Sequence, residues 1–125
     1  MKLNLSVLED LFTIHRISSD NEIPIQVFDG TFYNITKTEE ELSIICSSSV
    51  LLDSESSETG WSCIKVLGRL DFNLTGILAD ILAILAESKI SIIAISTFDT
   101  DYILVKSKKL QGATKALLRA QYTFK

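Results

Sequence analysis

The stretch GRLDFNLTGILADILAILAESKISIIAISTFDTDYILVK, residues 68–106, decides the fold. Its middle carries Leu74, Ile77, Leu78, Ile81, Leu82 and Leu85 at steps of three and four. That is the period of a helix with one apolar face. Thr75, Ala79, Asp80, Ala83, Ala86 and Glu87 fall mostly on the other face. Asn73 can cap a helix that starts at Leu74, and the charge of Lys89 suits its end. Residues 90–97 (ISIIAIST) are β-branched and too few for another helix, so they read as a strand. Phe98-Asp99-Thr100-Asp101 carries turn chemistry, because Asp side chains bond their own backbone. Residues 102–106 (YILVK) form the return strand of a hairpin.

Working outward, residues 61–67 (WSCIKVL) alternate roughly and read as a strand before the helix. Beyond the hairpin, Leu110, Ala113, Ala116, Leu117 and Ala120 give a second helical stripe. Gly112 inside that stripe costs about 1 kcal/mol relative to Ala. Residues 122–124 (YTF) suit a short edge strand. The order from Trp61 is β-α-β-β-α-β, which predicts a four-stranded antiparallel sheet with both helices on one face.

The first half is looser. Residues 11–17, 31–36 and 42–46 read as strands. Residues 18–30 hold Pro24 and the turn pair Asp29-Gly30, with too little apolar periodicity for a helix. Thr38 and Glu41 have capping-box spacing, which predicts one short helical turn. The Ser- and acid-rich run 47–60 (SSSVLLDSESSETG) is the linker candidate. Residues 36–45 resemble residues 96–105 in class at an offset of 60, each being strand, acidic turn, strand. The expected organisation is therefore a degenerate N-terminal repeat with an acidic linker at 1–60 and a complete unit at 61–125.

The 125 residues carry 12 basic and 16 acidic groups, a formal net charge of −4. At 46 % apolar and 22 % charged, disorder, collagen and coiled coil are disfavoured. The charge is uneven: residues 1–60 hold 11 acids against Lys2, Arg16 and Lys37, net −8, and residues 61–125 are net +4. The acidic balance argues against nucleic-acid binding. The longest apolar run, residues 74–85, is broken by Asp80 and too short for a bilayer, so no membrane is expected. Cys46 and Cys63 make no disulfide framework and read as buried thiols of a reduced, cytoplasmic protein.

Nothing in the residue pattern assembles a catalytic or metal site. His15, the one histidine, lies in an alternating strand, and no Gly-rich phosphate loop is present. No enzyme activity, metal or cofactor is expected. The start of the first helix differs, because its unpaired amides and partial positive charge can hold a carboxylate. Asp99 and Asp101 can be turn residues only, or can face an ammonium group. The two segments together would suit an amino acid.

LDFNLTGILA and ISTFDTDYILVK resemble the ACT domain family, specifically its tandem branch of small bacterial proteins and cytosolic arginine sensors of the CASTOR type. Residues 38–44 (TEEELSI) resemble the family's T-x-x-E-L-S-I segment in the preceding repeat. The resemblance implies an α+β fold of two ferredoxin-like βαββαβ repeats with antiparallel sheets. It implies a non-catalytic sensor that binds a small amino acid where two ACT modules meet, as a homodimer with a regulated protein partner. The implied ligand contacts are Asp71, Phe72, Asn73, Leu74, Thr75, Gly76 and Ile77, with Thr97, Phe98, Asp99 and Asp101. Asp101 would take the ammonium group and the amides near Thr75, Gly76 and Ile77 the carboxylate. Leu74 stands where the arginine-binding relatives place an acid, which counts against arginine. Thr75-Gly76 stands where these loops often carry Pro-Gly. The alternative is a self-associating interaction module with a vestigial site, pairing sheet edges at residues 61–67 or 122–124.

Overall fold

A computed structural model describes residues 3–68 and 76–125. In chain order the elements are β1 (Asn4–Val7), β2 (Phe12–Ile17), β3 (Asn34–Lys37), β4 (Leu42–Ser47), β5 (Ser56–Val66), α1 (Ile77–Glu87), β6 (Ile92–Ser96), β7 (Asp101–Lys106), α2 (Leu110–Arg119) and β8 (Thr123–Phe124). Short 3-10 turns cover Ile25–Asp29 and Ser107–Lys109. The architecture is α+β and ferredoxin-like. The chain divides into two compact units, Met1–Glu9 with Ser62–Lys125, and Asp10–Trp61. The first holds ten bases against six acids and the second ten acids against Arg16 and Lys37, so we call them basic and acidic.

In the basic unit the strands run in the order β6-β7-β5-β1-β8. Leu5, Ile64, Val66, Ile103 and Val105 are buried with Ile81 and Leu85 of α1 and Ala113 and Leu117 of α2. Both helices therefore cover one sheet face, as the sequence pattern predicts. The sheet differs from expectation in having a fifth strand. Strand β1 lies between β5 and β8, antiparallel to the first (Leu5↔Val66) and parallel to the second (Leu5↔Phe124). Four residues, NLSV, give little periodicity to read, and neighbours on both sides hold them extended. Residues 61–67, expected as a pairing edge, are interior, because β5 pairs with both β1 and β7.

The two helices end alike. Lys89 (φ 60°) and Gln121 (φ 79°) sit in the left-handed region. Ile90 N donates to Leu85 O at 3.0 Å and Lys89 N to Ala86 O at 2.9 Å. Tyr122 N donates to Leu117 O and Gln121 N to Leu118 O, both at 3.0 Å. This is the Schellman pattern, closed by a buried apolar residue just past each helix. Neither end carries the glycine that would mark it in the sequence.

In the acidic unit the order is β3-β4-β2-β5. Ile17, Val27, Leu42, Ile44 and Cys46 form its core, with Ile35, Val50 and Leu52 packed against them. The cover over this core is a 3-10 turn and a loop, with no helix among the described residues of the unit. Part of the expected linker is strand, since β5 begins at Ser56. Its pairing with β2 slips by one residue between Ile14↔Glu58 and Phe12↔Trp61. Gly60, at φ 79°, supplies the backbone that this bulge requires.

Thr38–Glu41 closes the β3–β4 hairpin and is not the helical turn expected. Thr38 Oγ1 accepts from Glu40 N and Glu41 N at 3.2 and 3.1 Å, and Thr38 N donates to Glu41 O at 2.9 Å. The β6–β7 hairpin closes with the same atoms: Thr100 N donates to Thr97 Oγ1 at 3.2 Å and Thr97 N to Thr100 O at 2.8 Å. Lys37 pairs with Leu42 as Ser96 pairs with Asp101. The hairpins correspond at an offset of 59, one residue from the sequence alignment. In a strand such a slip exchanges the two faces.

Candidate functional site

Of the residues singled out for binding, Asp71, Phe72, Asn73, Leu74 and Thr75 lie outside the described residues. Gly76 caps α1 at φ 85°, a backbone state that L side chains rarely adopt. Its carbonyl accepts the first helical bond, from Asp80 N at 2.8 Å. Ile77 is the first helical residue. Thr97, Phe98 and Asp99 form the β6–β7 turn, and Asp101 opens β7.

The turn is fixed at two points. Thr100 is buried, and its hydroxyl donates to Val66 O, at the end of β5, at 2.7 Å. Asp101 Oδ1 accepts from Ser96 Oγ across the hairpin at 2.6 Å. Phe98 is 67 % exposed at the tip. The first bond ties the acidic turn to the strand end that leads, two residues on, to Gly68. Gly68 and Gly76 bound the residues between β5 and α1. Sequence reasoning missed Thr100 and Ser96. The signal for Thr100 was a hydroxyl between the two turn acids in SerThrPheAspThrAsp, whereas Ser96 meets Asp101 only across the hairpin.

One turn into α1, Asp80 Oδ2 accepts from Tyr122 OH at 2.6 Å. Tyr122 is buried, and burial together with the Asp80 carboxylate pushes its hydroxyl well above the usual tyrosine range. This bond links the first turn of α1 to the residue before β8.

The acidic unit has a depression of about 200 Å³ on its sheet, lined by Ile14, Arg16, Glu41, Ser43, Ser56 and Glu58 among others. Arg16 sits across from Ser43 on β4 and Ser56 on β5, and its guanidinium binds Glu55 at 2.7 Å. His15 is buried. Its Nδ1 lies 3.0 Å from Ser54 Oγ, while Nε2 has no hydrogen-bond partner. Burial lowers its pKa from the ordinary 6.5. Both cysteines are free and buried, and burial pushes the Cys63 thiol up to about 12, far from a reactive thiolate. Among the described residues no three His, Cys, Asp or Glu side chains group to hold a metal, and no helix is long and apolar enough to cross a membrane.

A βαββαβ sheet with both helices on one face defines the ferredoxin-like class of fold. The ACT domain family model matches residues 56–119, and the chain belongs to that family. A second family model, of an N-terminal domain, matches residues 10–51. The structure of Atu0741 from Agobacterium tumefaciens is similar at 33 % identity and a TM-score of 0.92, over 100 % of this chain and 93 % of that one. The human protein CASTOR3P is 31 % identical over 99 residues, 69 % of this chain, and the chain spans 61 % of that relative's length. The ligand-free regulatory subunit of aspartate kinase from Thermus thermophilus shares the fold at a TM-score of 0.63 and 12 % identity, over 91 % of this chain and 96 % of that one.

Proposed function

We infer that this chain is a non-catalytic, cytoplasmic sensor that binds a small α-amino acid and passes that state to a protein partner, working as a homodimer. The ligand carboxylate sits on amides near Thr75, Gly76 and Ile77, within the segment 71–77. The ammonium group sits on Asp101, beside Thr97, Phe98 and Asp99. The observation that carries the reading is the Thr100 hydroxyl on Val66 O. It holds the acidic turn against the end of β5, the strand that precedes α1 in the chain, which supports a reading in which segments 71–77 and 97–101 serve one ligand. The family supports an amino acid as the class of ligand, and the aspartate kinase regulatory subunit supports a regulatory use. The two matching hairpins support a repeat organisation, with residues 1–60 a degenerate ACT-like half and 61–125 the ACT domain, to whose sheet β1 of the first half adds a strand.

A thermal-shift screen of the common amino acids tests it. A ligand that binds only the folded state at 100 times its Kd stabilises by about 2.7 kcal/mol. One or a few amino acids should raise the melting temperature, and Asp101→Ala should remove that rise while leaving the unliganded melt close to the parent. No shift with any amino acid at 10 mM or more, on the order of the weakest useful affinity, sinks the reading.

A further inference from the structure

The acidic unit exposes an apolar cluster that no ligand reading explains. Ile25 is 80 % exposed, Leu51 83 % and Phe28 49 %, with Ile23 and Tyr33 partly exposed beside them. Two contacts join parts of it. Gln26 Nε2 donates to Leu51 O at 3.4 Å, and the Phe28 and Tyr33 rings meet edge to face at 5.5 Å. It forms the outer side of the thin 3-10 and loop cover, in which Val27 alone of the turn points into the core. Exposed Glu22, Asp29 and Asp53 border it in the chain. Large apolar side chains gathered and rimmed by one sign of charge mark a protein contact.

The basic unit carries a surface of matching chemistry. On α2, Gln111, Lys115, Leu118 and Arg119 are exposed at helical spacing, and Leu118 is 50 % exposed. Lys108 and Lys109 stand exposed just before the helix. A single leucine flanked by cations suits an apolar patch flanked by carboxylates. The charge asymmetry of the whole units, ten acids against two bases and ten bases against six acids, has the same sense. We propose that the Ile25–Phe28–Leu51 patch docks the outer face of α2 from a second copy of this chain. Apolar contact supplies the affinity, and opposite charge supplies orientation and a dependence on salt. The inference rests on the self-association part of the reading above and is independent of the amino acid.

Sedimentation velocity of the full chain at 50 and 500 mM salt tests it. The chain should self-associate, more strongly at the lower salt. Lys115→Glu with Arg119→Glu should give a monomer, and so should Asp29→Lys with Asp53→Lys, each with an unchanged circular dichroism melt because all four side chains are exposed. Mixing the two charge-reversed variants should restore association. Ile25→Ser with Leu51→Ser should weaken association at both salts. Association that ignores both charge reversals overturns this surface and leaves a dimer through another. A chain that is monomeric at both salts and at millimolar concentration overturns the surface and the dimer together, and assigns the patch to a different occupant.

Discussion

The hairpins β3–β4 and β6–β7 are the same device built twice. Each closes with a threonine whose hydroxyl accepts turn amides, and each keeps the same strand register across the turn. They part company in what surrounds the turn. At the offset of 59, Thr100 corresponds to Glu41 and Asp101 to Leu42. Thr100 reaches Val66 O from a buried position, whereas Glu41 is half-buried and lines the sheet depression. Asp101 is a hydrogen-bonded acid, whereas Leu42 is fully buried core. Copying the turn is therefore not enough to copy a site. The acid that could face a ligand in the basic unit has become packing in the acidic one.

The comparison is first tested in the strands. Ile103 and Ile44 are equivalent at this offset and equally inaccessible. Replacing either by Ala removes buried methylenes and leaves a cavity, at a cost of about 2–5 kcal/mol. Urea unfolding should show comparable losses for the two variants. A loss under about 1 kcal/mol for Ile44→Ala would mean that the thin cover over the acidic unit leaves it loosely packed, and the equivalence would fail.

The turns separate more gently. Thr100→Val keeps the shape and deletes the hydroxyl, so the buried Val66 carbonyl loses that donor, at a cost of about 1–3 kcal/mol. Glu41→Val should change stability by no more than about 0.5 kcal/mol, because the turn there is made by the backbone and by Thr38. Equal costs at both positions would show that the bond to Val66 anchors nothing. If the turn is also part of the ligand site, Thr100→Val should weaken any amino-acid shift as well, through displacement of Asp101.

The helices and the β6–β7 hairpin were legible because periodicity and turn chemistry are local. Ile77, Leu78, Ile81, Leu82 and Leu85 declare one face of α1 without help from the rest of the chain, although the helix begins at Ile77, capped by Gly76, where the sequence suggested Leu74. Strand β1 was not legible, because NLSV is held by β5 and β8 and by nothing in its own four residues. The helix ends at Lys89 and Gln121 were hidden for a related reason. Their left-handed backbone is imposed by the buried Ile90 and Tyr122 that follow, while the sequence offers no glycine. The anchoring role of Thr100 was invisible because its partner, Val66, lies 34 residues away.

The smallest effect at neutral pH lies behind the strands. The basic unit sets Ile64 and Val66 in its core, while the acidic unit sets His15 beside Ile17, directly opposite Ile44. Burial favours the uncharged imidazole, so His15 titrates below the ordinary 6.5 in the folded chain. The sign follows. Above pH 6.5 the group is neutral in both states and its contribution is fully present. As pH falls through and below that value the unfolded chain binds a proton that the folded chain resists, so stability is lost. Nε2, which has no partner in the folded chain, is the nitrogen that protonation would leave charged and buried. Urea unfolding at pH 8 and pH 5 should therefore show a larger loss for the parent than for His15→Gln, the carboxylates contributing alike to both. Equal losses would mean that the imidazole reaches water or a counter-charge when protonated, and that the two cores differ less than their side chains suggest.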